Sequence, residues 1–133
     1  MHNVRELVQL SAEYLQKKGV KSPRRTAEEL LAALLKIKRL ELYFDYDALI
    51  EEKEIEKYRA WIKRKGEREP LEYIIGSLDF LDCKLKINPG VLIPRKETEI
   101  LAMLALKEIS KDAQTLWDLC TGSGCLGLSL KKK

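Results

Sequence analysis

The residues best suited to chemistry form a glycine-rich loop at residues 120–124, with the sequence CTGSG. An apolar run precedes the loop at residues 115–119, and a run with helical character follows it at 125–130. Glycines let a backbone turn sharply and let a ligand approach where a Cβ would block it. A helix that begins at such a loop directs free N–H groups toward a carboxylate or phosphate. The pattern therefore predicts a strand, a ligand-binding turn and a helix, as at the edge of an open α/β sheet.

The residues of the loop do not fit two common nucleotide-binding motifs. No Gly-Lys-Ser/Thr follows the loop, so it is not a P-loop, and the spacing differs from that of the dinucleotide fingerprint. Glycine turns also occur where nothing binds. From its own residues the loop is therefore a candidate ligand site and no more.

Composition narrows the classes of function. The chain has 133 residues, 45% of them hydrophobic, and its 25 basic and 21 acidic residues give a net charge of +4. This balance does not indicate a nucleic-acid partner. No apolar run approaches the roughly 20 residues that a membrane span needs, and no secretory signal opens the chain. We therefore expect neither a membrane nor a nucleic-acid partner.

The cysteines and the histidine exclude further chemistry. The three cysteines, Cys83, Cys120 and Cys125, lack the spacing of a metal site and are expected to be free thiols of a cytoplasmic protein. The single histidine, His2, lies next to the first residue. A Ser–His or Cys–His catalytic pair and a His/Cys metal site are therefore not expected.

Residues 1–76 carry the pattern of a small helical bundle. Asn3 and Glu6 predict a capping box, and Gly19 suits the position just after a helix. Ser22 and Pro23 suit the N-cap and first position of the next helix. Further helical segments are predicted at residues 39–43, 52–65 and 70–76.

The hydrophobic period changes after residue 76. Apolar residues alternate with polar ones from Leu81 to Ile87, which predicts a half-buried strand. Residues 88–90 predict a turn and residues 91–93 the return strand of a β-hairpin, which Pro94 ends. A helix with apolar residues on one side follows over residues 100–109.

Three segments stand in a defined order behind the bundle. They are REPLEYIIG at residues 68–76, VLIPRKETE at 91–99 and DLCTGSG at 118–124. Together they resemble the HemK-type (PrmC) methyltransferases, which modify a glutamine on peptide-chain release factors. The second segment is close to the family's VLIPRPETE and the third to its DLGTGSG. The resemblance covers the whole chain, whereas the chain covers only the first part of the family's length.

The resemblance implies a three-part fold. It consists of an α N-terminal helical bundle that docks the protein substrate at residues 1–76, a β-hairpin connector at 77–93, and the truncated start of an α/β Rossmann-like methyltransferase domain at 94–133. The implied cofactor is S-adenosylmethionine. The implied binding residues are Cys120, Thr121, Gly122, Ser123 and Gly124, with Arg95, Thr98 and Glu99 closing one side. Without the resemblance, the second group equally fits a helix start with acidic residues near its dipole.

The neighbours of the loop carry further expectations. Asp118 is expected to support the loop rather than contact the ligand, while Trp117 and Leu119 are expected in the core of a sheet. Cys120 replaces the family's first loop glycine, which matters only if that position needs a positive φ. Gly127 lies inside a helix, where alanine would be more stable by about 1 kcal/mol.

No catalytic residue is assigned. The family's Asn-Pro-Pro-Tyr motif, which holds the substrate amide, is not found in these residues, and Asn88-Pro89-Gly90 reads as a turn. The resemblance implies S-adenosylmethionine-dependent methylation of a glutamine side-chain amide, with a release factor as the partner and with this chain inactive alone. The alternatives are a non-catalytic protein-binding module or remnant, and a methyltransferase with another substrate.

Overall fold

The structure is a computed structural model that describes residues 2–110 and 112–131. The chain divides into two compact units, Met1–Ile75 and Gly76–Lys133. Residues 111, 132 and 133, which belong to the expected methyltransferase part at 94–133, lie outside the described residues. No helix in the described part of the chain is long and apolar enough to cross a membrane.

The first unit is the predicted helical bundle. Its elements are α1 (Val4–Lys17), α2 (Pro23–Leu35), a 3₁₀ helix (Arg39–Tyr43), α3 (Glu52–Gly66) and α4 (Leu71–Ile75). The largest buried side chains of its core are Tyr58, Leu15, Leu30, Leu31, Leu42, Ile55 and Val8. Apart from Leu42 in the 3₁₀ helix, these residues lie on the apolar faces of α1, α2 and α3, whose helical spacing is why the sequence predicts these helices.

The start of α1 is held by side-chain and main-chain acceptors. The predicted capping box is present, with the Glu6 N–H donating to Asn3 Oδ1 at 2.9 Å. The N–H of Val4 donates to the carbonyl of Ala48 at 3.1 Å, and the N–H of Arg5 donates to that of Tyr46 at 3.0 Å. The free donors of a helix start are thus satisfied by the segment before α3.

The start of α2 differs from the prediction in one respect. Pro23 occupies the first turn, but the Ser22 side chain makes no capping hydrogen bond. Ser22 has φ +50° and ψ +56°, in the left-handed region, whereas a capping residue needs extended backbone angles. Ser22 therefore occupies the predicted N-cap position, but its side chain does not cap the helix.

A buried carboxylate joins α2 to the 3₁₀ helix. The Glu28 side chain is only 3% exposed, and it accepts hydrogen bonds from Tyr43 Oη at 2.6 Å, Arg39 Nη1 at 2.8 Å and Arg24 Nε at 3.2 Å. Burial by itself raises the pKa of Glu28, but the hydrogen bonds from Tyr43, Arg39 and Arg24 outweigh it. The resulting pKa lies below its ordinary value, so the buried group stays charged.

The second unit begins with a hairpin whose register differs from the predicted one. Strand β1 (Ser77–Phe80) pairs antiparallel with β2 (Cys83–Lys86), with Phe80 opposite Cys83. Leu81, predicted as the start of a strand, has φ +49° and lies in the turn between the strands. A two-residue turn closes a hairpin when its backbone adopts such angles. Residues 91–93, predicted as the return strand, form no strand.

Two helices follow the hairpin, α5 (Lys96–Glu108) and α6 (Cys125–Lys131). The predicted helix at 100–109 is present in α5, where Ala102 is buried but Ile100, Leu101 and Leu104 are about half exposed. The expected apolar side of this helix is therefore only partly covered.

The segment before the glycine loop is not the predicted strand. Residues 113–118 have no regular secondary structure, and Trp117 and Leu119 are 81% and 80% exposed. A strand requires a hydrogen-bonded neighbour, and the sheet of the described residues contains only β1 and β2. The prediction of Trp117 and Leu119 as sheet core is wrong for this structure, and an α/β start is not confirmed.

We predict that Glu28→Gln lowers the free energy of unfolding of the chain by about 2 kcal/mol, because two guanidinium groups and a phenol lose a charged acceptor. Glu29→Gln is the matched control, since Glu29 pairs with the exposed Arg25 on the same helix. It should cost no more than about 0.5 kcal/mol. Urea unfolding followed by helical circular dichroism measures both, and equal losses would contradict the prediction.

The lowered pKa of Glu28 predicts that the free energy of unfolding depends on pH. A carboxylate whose folded pKa is depressed stabilises the protein above its unfolded pKa, and this contribution is lost as pH falls through the folded pKa. Between about pH 5 and pH 3 the wild-type chain should therefore lose more free energy of unfolding than Glu28→Gln. Parallel losses in the two proteins would show that Glu28 does not carry this dependence.

Candidate functional site

The carboxylate of Asp118 holds the glycine loop to the helix that follows. Its Oδ2 accepts a hydrogen bond from Thr121 Oγ1 at 2.7 Å and another from the Gly127 N–H at 3.0 Å. The Asp118 carboxylate thus connects the segment before the loop to the loop itself and to the first turn of α6. The expectation that Asp118 supports the loop is confirmed. A negative charge at this end of a helix is also favoured by the helix dipole.

Gly127 is needed for this contact rather than for the helix. A Cβ built at Gly127 would lie 3.3 Å from Asp118 Oδ2, which is tighter than most such contacts, and at an ordinary 3.7 Å from Asp118 Cβ. Because the position has no side chain, the carboxylate can reach the main-chain N–H. This close approach explains a glycine at a helical position where alanine would otherwise be favoured.

Three residues of the loop have left-handed backbone angles. The φ values are +59° at Cys120, +58° at Gly122 and +75° at Gly124. Cys120 therefore occupies a position that favours glycine, and its Cβ costs roughly 1–2 kcal/mol there. The replacement of the family's first loop glycine is thus a departure with a physical cost.

Gly122 leaves one side of the loop open. A Cβ built there would meet nothing within 4 Å, whereas one at Gly124 would contact Leu128 Cδ1 at 3.5 Å. Thr121 and Gly122 are exposed, and Ser123 and Gly124 are half-buried. The loop therefore presents main-chain groups and small side chains on an accessible surface.

The other predicted site residues lie at the start of α5. Arg95 precedes the helix with extended backbone angles, and the Thr98 N–H donates to the Arg95 carbonyl at 3.0 Å. Glu99 Oε1 accepts a hydrogen bond from the Leu81 N–H at 3.4 Å, in the hairpin turn. Among the described residues, no hydrogen bond or ion pair joins these three side chains to the loop at 120–124.

A cavity of about 890 Å³ lies beside Asp118, between α5, residues 113–118 and α6. Leu106, Ile109, Leu116, Gly127 and Leu130 contribute to its lining, which includes none of residues 120–124. Its lining also includes polar residues, among them Gln114 and Lys131. The candidate site is therefore the exposed loop and not this cavity.

The chemistry available at the loop is binding rather than acid–base catalysis. Asp118 is already bonded to Thr121 and Gly127, and Cys120 provides an exposed thiol. In the described ranges, no cluster of His, Cys, Asp and Glu could hold a metal ion. The arrangement suits a ligand held through main-chain N–H groups and the surface left open at Gly122.

The supporting role of Asp118 is predictable from the sequence, but its hydrogen bond from Gly127 and the cluster around Glu28 are not. The hydrogen bond from Gly127 to Asp118 joins residues nine positions apart, and its only signal in the sequence is a glycine at a helical position. The Glu28 cluster was missed entirely. Its one local signal is the spacing of Arg24 and Glu28, four residues apart on a helix.

Comparison with known proteins gives consistent matches. The family model described as the PrmC N-terminal domain matches residues 6–76. The release factor glutamine methyltransferase of Leptospira interrogans is 41% identical over 127 residues, which cover 94% of this chain and 44% of that protein. Those of Chlamydia trachomatis and Geobacter sulfurreducens are each 35% identical, over 97% and 98% of this chain. The chain spans less than half the length of these relatives.

We predict that Asp118→Ala loosens the loop without unfolding the bundle. Because Thr121 and Gly127 lose their shared acceptor, amide hydrogen exchange at Gly127 should accelerate about tenfold or more. Asp112→Ala removes the same charge from an exposed side chain nearby and should leave that rate unchanged. An unchanged Gly127 rate in Asp118→Ala would show that the contact does not hold the loop.

Proposed function

The chain belongs to the PrmC N-terminal domain family, and from this membership we propose that it is part of an S-adenosylmethionine-dependent methyltransferase. The proposed substrate is a glutamine side-chain amide of a peptide-chain release factor. The relatives that match nearly the whole chain are named release factor glutamine methyltransferases, which supports the proposal. The free cysteines support a cytoplasmic protein.

The observation that carries the proposal is the conformation of DLCTGSG, in which Asp118 fixes a loop that is open at Gly122. Bound S-adenosylmethionine supplies a methyl group on a positively charged sulfur. In our proposal, Cys120 to Gly124 hold the methionine part of this cofactor, whose carboxylate suits main-chain N–H donors at a helix start. The absence of a Cβ at Gly122 leaves room for that approach.

The start of α5 completes the proposed site. Arg95 supplies an exposed cation, and Thr98 and Glu99 are half-buried on the first turns of the helix. We propose that these three residues close one side of the cofactor site. Glu99 would act there from a position that it also uses to bind the hairpin turn. The segment from residue 94 onward would then be the start of an α/β methyltransferase domain.

We propose that these 133 residues do not themselves align the substrate amide. Methyl transfer to an amide nitrogen is a direct displacement, for which alignment and hydrogen bonds to the amide matter more than an acid–base pair. The chain contains no Asn-Pro-Pro-Tyr sequence that could provide them. We therefore propose that this chain binds the cofactor but does not catalyse the transfer alone.

A second candidate function is protein binding without catalysis. The 3₁₀ helix and the segment after it expose apolar side chains, with Phe44 84% exposed and Leu40 and Leu49 largely exposed. Tyr43 and Tyr46 stack with ring centroids 5.2 Å apart and so give this segment a fixed shape. If the chain only binds a protein, the partner should bind with equal affinity in the presence and absence of S-adenosylmethionine.

We predict that S-adenosylmethionine binds the chain and that Gly122→Ala weakens this binding at least about tenfold. The new Cβ would stand on the open side of the loop and strain a left-handed backbone. Isothermal titration calorimetry measures the change.

Gly19→Ala is the matched control, because Gly19 has φ +72° and no atom within 4 Å of a built Cβ, but lies in the other unit. It should bind the cofactor within about twofold of the wild-type chain. Equal weakening by both variants, or no binding by the wild-type chain, would refute a cofactor site at this loop.

A further inference from the structure

The turn of the β-hairpin is attached to the start of α5. Leu81 and Asp82 form the two-residue turn between Phe80 and Cys83, which pair across the two strands. The Leu81 N–H donates to Glu99 Oε1 at 3.4 Å, although these residues are 18 positions apart in the sequence. Since Glu99 belongs to the first turn of α5, the hydrogen bond joins the tip of the hairpin to the beginning of that helix.

The same hairpin also contacts α6, two residues further along the chain. The Cys83 thiol donates to the Leu128 carbonyl, with the sulfur 3.8 Å from the oxygen. The Leu128 N–H in turn donates to the Gly124 carbonyl at 2.9 Å, which joins α6 to the glycine loop. A Cβ at Gly124 would also lie 3.5 Å from Leu128 Cδ1. Leu128 therefore connects the hairpin to the last residue of the loop.

These contacts link two segments that do not bond to each other directly. In the described ranges, the residues proposed to close the cofactor site at the start of α5 form no hydrogen bond or ion pair with residues 120–124. Helices α5 and α6 do contact one another. However, Leu101 and Leu104 of α5 are about half exposed, so the packing of this helix is partial. The hairpin supplies a second connection, through its tip.

The hairpin is built firmly enough to act as such a connection. Phe80 in β1 and Leu85 in β2 are buried, as is Ile87 just after β2. The Ile87 N–H donates to the Gly76 carbonyl at 3.0 Å and so closes the open end of the hairpin. Because close-packed side chains transmit displacements, a shift at the turn reaches Cys83, which pairs with Phe80.

We infer that the β-hairpin sets the start of α5 against the glycine loop, with Glu99 and Cys83 as positioning residues. Glu99 acts through the Leu81 N–H, and Cys83 acts through Leu128. The inference rests on the proposed function, in which the same two segments hold S-adenosylmethionine. It adds that the affinity for the cofactor depends on a hairpin that is not itself proposed to contact the cofactor.

A connection of this kind has a characteristic energetic consequence. The two contacts are in series, so that loss of either one releases the start of α5 from the loop, and loss of both releases it no further. Segments released in this way must be ordered again when a ligand binds, which lowers the affinity. Two contacts that acted independently would instead give additive losses of binding free energy.

The first test measures amide hydrogen exchange in the whole chain without cofactor, so that a direct contact of Glu99 with the cofactor plays no part. Glu99→Ala should accelerate exchange of the Leu128 N–H about threefold to tenfold, the range expected for one hydrogen bond. Glu97→Ala is the matched control, because it removes the same charge from an exposed residue of the same helical turn. This control and Glu99→Gln, which keeps an oxygen acceptor for Leu81, should stay within about twofold of the wild-type rate.

The Ile87 N–H serves as an internal reference for the folding of the hairpin, since its hydrogen bond lies at the end away from the turn. Its exchange rate should be unchanged in Glu99→Ala. Equal acceleration at Ile87 and Leu128 would overturn the inference, because the hairpin would then open as a whole. An unchanged Leu128 rate in Glu99→Ala would overturn it as well.

The second test is a double-mutant cycle of S-adenosylmethionine affinities, measured by isothermal titration calorimetry. Cys83→Ala should weaken binding about threefold to tenfold, although Cys83 lies in neither segment of the proposed site. Lys84→Ala is the matched control, since Lys84 is the exposed next residue of β2, and it should change binding less than about twofold. Cys83→Ala combined with Glu99→Ala should bind within about twofold of Glu99→Ala alone.

Two results of the cycle would contradict the inference. One is multiplicative weakening in the double variant, and the other is equal weakening by Cys83→Ala and Lys84→Ala. Failure of the wild-type chain to bind S-adenosylmethionine would refute the proposed cofactor site instead, and the exchange rates would then decide the role of the hairpin by themselves. A failure of this inference is thus distinguishable from a failure of the proposed function.

Discussion

The hydrogen bonds to Asp118 are the contacts on which the candidate site depends. A single carboxylate oxygen accepts from Thr121 in the loop and from Gly127 in α6, and Gly127 has no side chain to prevent the approach. The loop can therefore keep its left-handed residues in place before any ligand arrives. A preformed loop of this kind avoids the cost of ordering the backbone on binding. The strain at Cys120 is tolerated because its neighbours are fixed.

The two units bury their apolar side chains to different degrees. In the first unit the apolar faces of the helices meet in one core, and the buried charge of Glu28 is compensated by three donors. In the second unit Leu101 and Leu104 of α5 and Trp117 before the loop remain exposed. Helices and strands of an α/β domain normally cover such faces from both sides of the sheet. The first unit thus has a well-covered core, whereas the loop of the second unit is held mainly by local hydrogen bonds.

Much of the helical structure follows from local sequence. The helices were predicted from their hydrophobic period, and their ends from Asn3, Gly19 and Pro23, because capping acts over three or four residues. The hairpin was placed one strand too late, since nothing local shows that Leu81 would adopt a left-handed turn. The predicted strand at 115–119 failed because a strand depends on a partner elsewhere in the chain. The Glu28 cluster was not predictable because burial of that carboxylate arises from contacts 11 and 15 residues away.

The most direct test is a backbone amide NMR titration of the isotope-labelled chain with S-adenosylmethionine. If the loop holds the methionine part of the cofactor, the amides of Thr121, Gly122, Ser123 and Gly127 shift with a common saturation curve. The amide signals of α1 and α3 in the helical bundle should not shift. Shifts confined to the helical bundle, or none at high cofactor concentration, would contradict a cofactor site at the loop held by Asp118.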